Sequence, residues 1–208
     1  PVIDSLCPTI VVCGAPNVGK SAFISALSSG NMEINHYPFT TKRLHVGHFT
    51  HRRVPHQMVD TPGLLDRPMH DRNAIEMQAI AAIEHIGTIC IFLMDITEDS
   101  GTSVEEQNNL LDEVKELLPE IDIIVVVSKG DLMQPLPSNW DEVKLAEESW
   151  DGEGEPELPI LLDEEGCVTI SSLKGVGVES LRLELVRRCK ANMVNDPLSL
   201  PDGWHRSD

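Results

Sequence analysis

The run Gly14-Ala15-Pro16-Asn17-Val18-Gly19-Lys20-Ser21 has the spacing G-x-x-x-x-G-K-[ST]. Its two glycines let the main chain curl so that successive N–H groups converge on phosphate oxygens. Lys20 can then reach the β and γ phosphates of a nucleotide, and the Ser21 hydroxyl can ligate magnesium. Such a loop works only between a strand and a helix, because the helix N-terminus completes the anion site. Both neighbours are expected: residues 9–13 are a short β-branched run, and residues 21–28 place Phe23, Ile24 and Leu27 at helical spacing. Gly14, Ala15, Pro16, Asn17, Val18, Gly19, Lys20, Ser21 and Ala22 are the candidate phosphate-binding positions.

Three further clusters follow in order. Asp60-Thr61-Pro62-Gly63 closes an apolar strand, where an acid can hold Mg²⁺ and the Gly63 N–H can meet a γ-phosphate. Ser128-Lys129-Gly130-Asp131 stands directly after a buried strand, at the carboxyl edge where α/β folds collect ligand contacts. A carboxylate at Asp131 can accept hydrogen bonds from the ring N–H and exocyclic amine of guanine, an arrangement adenine does not offer. Ser171-Ser172-Leu173-Lys174, again after a strand, can present a backbone N–H to the guanine carbonyl oxygen. Each of the three is also ordinary turn chemistry; four elements in this order argue a site.

The elements that would position them alternate. After the first helix, a polar stretch over residues 29–43 reads as an excursion. Strands are expected at 44–49 and 54–59, antiparallel around His51-Arg52-Arg53, then at 88–94, 121–127 and 167–170. Helices are expected at 73–86, at 103–118 behind a Ser103-x-x-Glu106 capping box, and at 178–189. The fold class is therefore α/β: a P-loop NTPase with a three-layer, doubly wound, mostly parallel six-stranded sheet and one antiparallel strand. Residues 1–190 read as the nucleotide-binding domain, 134–165 as an acidic insertion with a helix near 140–149, and 191–208 as a tail or linker. A start at Pro1, close before a strand, reads as a piece cut from a longer protein.

Charge narrows the partners. The 208 residues carry 34 acids against 16 lysines and arginines, a net −18. Diffuse attraction to DNA or to a bare RNA backbone is disfavoured, so any RNA contact must be local. Residues 141–165 hold eleven carboxylates and one lysine, −10 of that total, most simply a solvated face with a basic protein partner as the alternative. The five cysteines form no C-x-x-C pair and read as reduced thiols, and no apolar stretch is long enough to span a membrane. His45, His48 and His51 alternate faces on a strand and do not read as a metal site.

Tyr37-Pro38-Phe39-Thr40-Thr41-Lys42, Val46-Gly47-His48-Phe49, Asp60 to Pro68, Asp71-Arg72-Asn73 and Ile75-Glu76-Met77-Gln78-Ala79-Ile80, read with the four clusters, resemble the nucleolar GTP-binding protein 1 family of the Obg superfamily, as a fragment holding its GTPase domain. The resemblance is strong over residues 9–131 and weaker over 168–185. It implies GTP and GDP as ligands with Mg²⁺, and a role in assembly of the large ribosomal subunit, with rRNA and ribosomal proteins as partners. The place of action would be the cytoplasm in an archaeon or the nucleolus in a eukaryote, less so an organelle. Relatives carry a helical N-terminal domain as well.

By resemblance, Thr41 is the switch threonine that ligates Mg²⁺ beside Ser21 and Asp60, with Thr40 the alternative, and Lys20, Thr41 and Gly63 form the catalytic set. Asn17 resembles the asparagine that holds a monovalent cation in potassium-activated relatives. Leu64 stands where many GTPases carry a water-orienting glutamine, so slow intrinsic hydrolysis is expected. Ser128 replaces the usual asparagine of the base motif, so fewer tethers to the phosphate loop and reduced affinity are expected. A non-hydrolysing guanine-nucleotide docking module on a ribosomal precursor, and an ATPase in which Asp131 does not face the base, remain the competing readings.

Overall fold

The computed structural model describes residues 7–29, 33–36, 43–61, 65, 77, 80–81, 84–154 and 156–193. Its sheet is built from β1 (Thr9–Cys13), β2 (Glu33–His36), β3 (Arg43–His51), β4 (Val54–Asp60), β5 (Ile89–Met94) and β6 (Asp122–Val127), in the order β2-β3-β4-β1-β5-β6. β1 pairs in parallel with β4 and β5, and β5 with β6. β3 alone runs antiparallel, to β2 on one side and β4 on the other. Arg52 and Arg53, at φ 46° and 70°, turn the β3–β4 hairpin with the left-handed pair that matches strand twist.

Every residue of β1 and β5 is buried, which requires cover on both faces. Cover comes from α1 (Lys20–Leu27), α2 (Val104–Leu117) and, after α3 (Trp140–Ser149), α4 (Val178–Met193). Residues 77, 80, 81 and 84–86, within the helix expected at 73–86, are helical. From β1 the chain crosses toward β4, and from β4 it crosses back over β1 to β5. Right-handed crossovers in opposite directions place their helices on opposite faces and open a crevice at the carboxyl ends of β1 and β4. The first cluster, Gly14 to Ser21, and Asp60 and Thr61 of the second lie at that crevice.

The fold class is the one expected, but two strand assignments differ. Residues 33–36, read as part of an excursion, form the sheet edge. Only Ile34 is apolar there, and an edge strand hydrogen-bonded on one side needs no alternating pattern. Residues 167–170, read as a strand, make a single parallel bridge, Val127 to Thr169. Bridges from Leu162 to Val168 and from Ser171 to Val176 turn the chain on either side and stop the ladder.

α3 spans the residues expected of it and is docked. Val143, Leu161 and Val176 form a small buried cluster with Trp140 against it. Glu147 Oε2 accepts from the Gly177 N–H at 2.9 Å, and Oε1 accepts from the Ser180 N–H and hydroxyl, each at 2.9 Å. A carboxylate thus compensates the N-terminal dipole of α4, so one member of the acidic run does structural work while many of the others face solvent. α2 carries the expected capping box, Ser103 accepting from Glu106 N and Glu106 from Ser103 N. None of the five cysteines is in a disulfide. Among the described residues, no helix is long and apolar enough to cross a membrane.

Candidate functional site

The phosphate loop leaves β1 through Gly14, at φ +134°. A Cβ there would lie 2.3 Å from the Leu93 carbonyl oxygen, so the loop crosses β5 at a distance only glycine permits. Asn17 takes φ 62°, a left-handed conformation that asparagine tolerates well, giving the residue a backbone reason to be there beside its expected cation role. Gly19 begins α1 with no side-chain cap and no acid in the first turn. The leading amides of α1 are thereby left to a ligand anion, whereas α2 and α4 have carboxylates at theirs.

Lys20 is nearly buried, and its Nζ donates to the carbonyl oxygens of Gly14 and Ala15, both at 2.8 Å. Register places Asp60, the last residue of β4, beside Val12 of β1, and the Ser21 hydroxyl donates to Asp60 Oδ2 at 3.3 Å. Burial pushes the Asp60 pKa up, against the opposing pull of Lys20, His45 and Ser21. His45 Nδ1 lies 3.7 Å from the same oxygen. Asp60 Oδ1 is buried without a hydrogen-bond partner among the described residues. A hard divalent cation held by Ser21 and Asp60 would supply that partner and relieve the desolvated charge, so these residues fit Mg²⁺. Thr61, fully buried, ties the strand end to β1 through its hydroxyl and the Val12 carbonyl at 3.2 Å. Thr40, Thr41, Gly63 and Leu64 lie outside the described residues.

The base side converges from three loops. Ser128 Oγ lies 2.7 Å from the Val18 carbonyl oxygen and 2.9 Å from that of Met94. The serine therefore still tethers the phosphate loop, despite its shorter side chain. Asp131 Oδ1 accepts from the Ser171 hydroxyl at 2.5 Å, joining residues 40 positions apart, and Ser171 Oγ accepts from Lys174 N at 3.0 Å. The Gly130 N–H donates to the Ile170 carbonyl at 2.9 Å, and a Cβ on Gly130 would meet the Thr169 methyl at 2.8 Å, so the two base loops touch. Ser171 is buried, Ser172 is not, and Leu173 is 81% exposed, which suits the latter two to backbone contacts.

Two residues at this edge were missed in the sequence. Asp95, directly after β5, accepts from Lys129 Nζ at 2.8 Å, from Thr97 and from Ser100 N, while Lys129 also reaches Asp99 at 3.1 Å. Burial alone would raise the Asp95 pKa, but Lys129 and these donors hold it below the usual range. Gln107 of α2 clamps the loop by accepting from Asp95 N and donating to the Asp95 and Thr102 carbonyls. The usable signal was position: Asp95 ends a buried strand at the same edge as Ser128.

A family model described as nucleolar GTP-binding protein 1 matches residues 74–131. The protein of that name from Drosophila melanogaster is 36% identical over 202 residues, covering 95% of this chain and 29% of the fly protein. A crystal structure of nucleolar GTP-binding protein 1 from Plasmodium falciparum superposes with a TM-score of 0.71 at 34% identity, over 95% of this chain and 94% of that one. The chain belongs to the nucleolar GTP-binding protein 1 family. The G domain of the T. maritima FeoB iron transporter, at 20% identity and a TM-score of 0.57 over 88% of this chain and 98% of that one, shares the fold. The family assignment agrees with the resemblance read from the motifs, and the chain spans about a fifth to a third of the length of the curated relatives it matches.

Proposed function

We propose that this chain is the G domain, residues 1–190 with a docked insertion at 134–165, of a protein that binds GTP with Mg²⁺ and hydrolyses it slowly to GDP and phosphate. As a nucleotide-dependent switch, it would serve assembly of the large ribosomal subunit, in the nucleolus of a eukaryote or the cytoplasm of an archaeon. The observation that carries this reading is the pair of side-chain ties that bring distant loops together at one edge of the sheet: Ser128 on the Val18 carbonyl, and Ser171 on Asp131.

In the mechanism, Lys20 exchanges its Gly14 and Ala15 carbonyls for β- and γ-phosphate oxygens, so the ammonium stays satisfied in both states. The uncapped amides of α1 receive the remaining phosphate charge. Ser21 and Asp60 would hold Mg²⁺, with Thr41 as a further ligand when GTP is present, and the cation would supply positive charge to the phosphates. Asp131, oriented by Ser171, accepts from guanine, while Ser171, Ser172 and Leu173 offer main-chain N–H groups to its carbonyl oxygen. Leu64 can neither donate nor accept a hydrogen bond, so the attacking water is oriented by main chain, by a monovalent cation near Asn17 or by a partner. Residues 37–43 and 64–72 change arrangement on cleavage, and a partner reading either one senses the nucleotide.

The test is competition of a fluorescent GTP analogue by GDP and by ATP, joined to single-turnover phosphate release in K⁺ and in Na⁺. GDP should compete and ATP should not, with slow release faster in K⁺. Equal competition by ATP removes the guanine assignment, and tight GTP binding with no phosphate release in either salt leaves the docking module. Asp131→Asn should lose about 100-fold in guanine selectivity and gain xanthine, because a buried site built for hydrogen bonds rejects a mismatched partner by about 2–3 kcal/mol.

A further inference from the structure

Ile124 and Val126 of β6 are buried, whereas Ile123 and Val125, which point to the opposite face, are only half-buried. The crossover after β6 is the segment that would cover that face in a doubly wound sheet. Its helix, α3, instead packs Val143 against Leu161 and Val176 and lends Glu147 to α4. What remains beside α2 is a groove of about 840 Å³. Val104 and Leu111 of α2 form one wall, Val125 and Val127 the floor, and Ile96 and Leu132, 37% and 49% exposed, the lip.

The polar rim has one sign. Asp163, Glu164 and Glu165 line the groove, and among the described residues no lysine or arginine does. Glu164 and Glu165 are exposed, while Asp163 holds its turn by accepting from Glu165 N and Cys167 N. An apolar trough edged by carboxylates fits an occupant with an apolar stripe flanked by cations. The chain's own ends do not qualify: residues 194–208 carry three aspartates and one arginine, and residues 1–6 one aspartate and no cation. A second copy brings another −18 of charge and is repelled.

We propose that the α2–β6 groove docks a basic amphipathic helix of a partner protein, its apolar side chains seated on Val125 and Leu111 and its lysines or arginines facing Glu164 and Glu165. The proposal stands apart from the nucleotide reading, since none of these residues belongs to the phosphate or base contacts.

The test uses the whole 208-residue chain and two labelled 18-residue leucine–lysine peptides of equal composition, one with leucines at i, i+3, i+4 and i+7 and one with no apolar face. By fluorescence anisotropy the amphipathic isomer should bind at least tenfold more tightly. Glu164→Lys with Glu165→Lys should weaken it at least tenfold, as should Val125→Lys, with GDP affinity unchanged. Amide shifts on titration should concentrate at residues 104–111, 125–135 and 163–167. If Val125→Lys fails to fold, the surface double variant and the shift map decide alone. Equal binding of the two isomers, binding indifferent to the variants, or shifts centred on α3 would show diffuse attraction and overturn the proposal. So would equally tight binding of a leucine–serine peptide, or self-association broken by Val125→Lys, which would give the groove to a second copy.

Discussion

The phosphate half and the base half of the pocket are built on opposite electrostatic plans. In the first, a contiguous loop curls ahead of α1, α1 begins uncapped, and Asp60 holds a desolvated carboxylate with one oxygen unpartnered among the described residues. In the second, the charges satisfy one another: burial would lower the Lys129 pKa, but Asp95 and Asp99 raise it, and Asp95 is lowered in turn. On the proposed reading one half would be completed by ligand charge, whereas the other is a frame already paired that would present Asp131 to the base. Damage to the first should therefore show in binding, and damage to the second in stability and selectivity.

The largest effect is expected from Lys20→Ala. Two charge-assisted hydrogen bonds to phosphate, at about 1.5–3 kcal/mol each, correspond to at least about 100-fold in GDP affinity. Calorimetry at fixed Mg²⁺ measures it. Undiminished affinity would remove the phosphate half as the binding determinant.

A second test uses pH, to which the buried His56 of β4 should respond between 4 and 6.5. His56, fully buried and stacked on Phe49 at 4.8 Å, has a pKa lowered by burial from 6.5 to about 4. The unfolded chain takes up a proton there before the folded one does. Stability therefore falls as pH drops from 6.5 and levels off near 4, by roughly 3 kcal/mol for a 2.5-unit shift. Asp60 acts in the opposite sense, since its raised pKa favours the folded state as protonation begins. Asp95, already lowered, gives up its contribution only below the unfolded carboxylate value. Urea titrations across this range should show a slope that His56→Gln flattens.

How much was legible follows the same division. The phosphate loop, the capping box of α2 and the limits of α3 could be read from residues a few positions apart, because glycine curvature, cap chemistry and helical spacing are local effects. The ties that complete the base half are long-range. Lys129 meets Asp95 across 34 positions, and Glu147 reaches Gly177 across 30. No periodicity records such pairs, and a carboxylate in an acidic run looks the same whether it caps a helix or faces water. β2 escaped for a related reason: its pairing with β3 depends on where the hairpin brings the edge, not on its own four side chains.

Glu147→Ala probes the frame. It removes three hydrogen bonds and the negative charge at the start of α4, worth about 1–2 kcal/mol as a helix N-terminal contact. Thermal unfolding of the nucleotide-free chain should drop by about 2–4 °C for each kcal/mol at this size. Glu147→Gln should recover part of the loss, since its amide oxygen can still accept. An unchanged midpoint would mean that the insertion hangs free of the sheet.

The smallest effect, and the sharpest for the comparison, belongs to Ser171→Ala. The hydroxyl donates to Asp131 at 2.5 Å and accepts from Lys174 N, so its removal frees the base carboxylate and loosens the following turn without touching a phosphate contact. A donor to a carboxylate is worth about 1.5–3 kcal/mol, but Ser171 orients Asp131 and does not replace its contact with the base, so about 1 kcal/mol of it should reach binding, a roughly fivefold loss of affinity for GDP. Inosine diphosphate lacks the exocyclic amine that a well-oriented Asp131 would accept from, so its affinity should fall less and the ratio of the two should narrow. Equal losses for both ligands would mean that Ser171 supports the pocket as a whole and that the orientation of Asp131 does not depend on it.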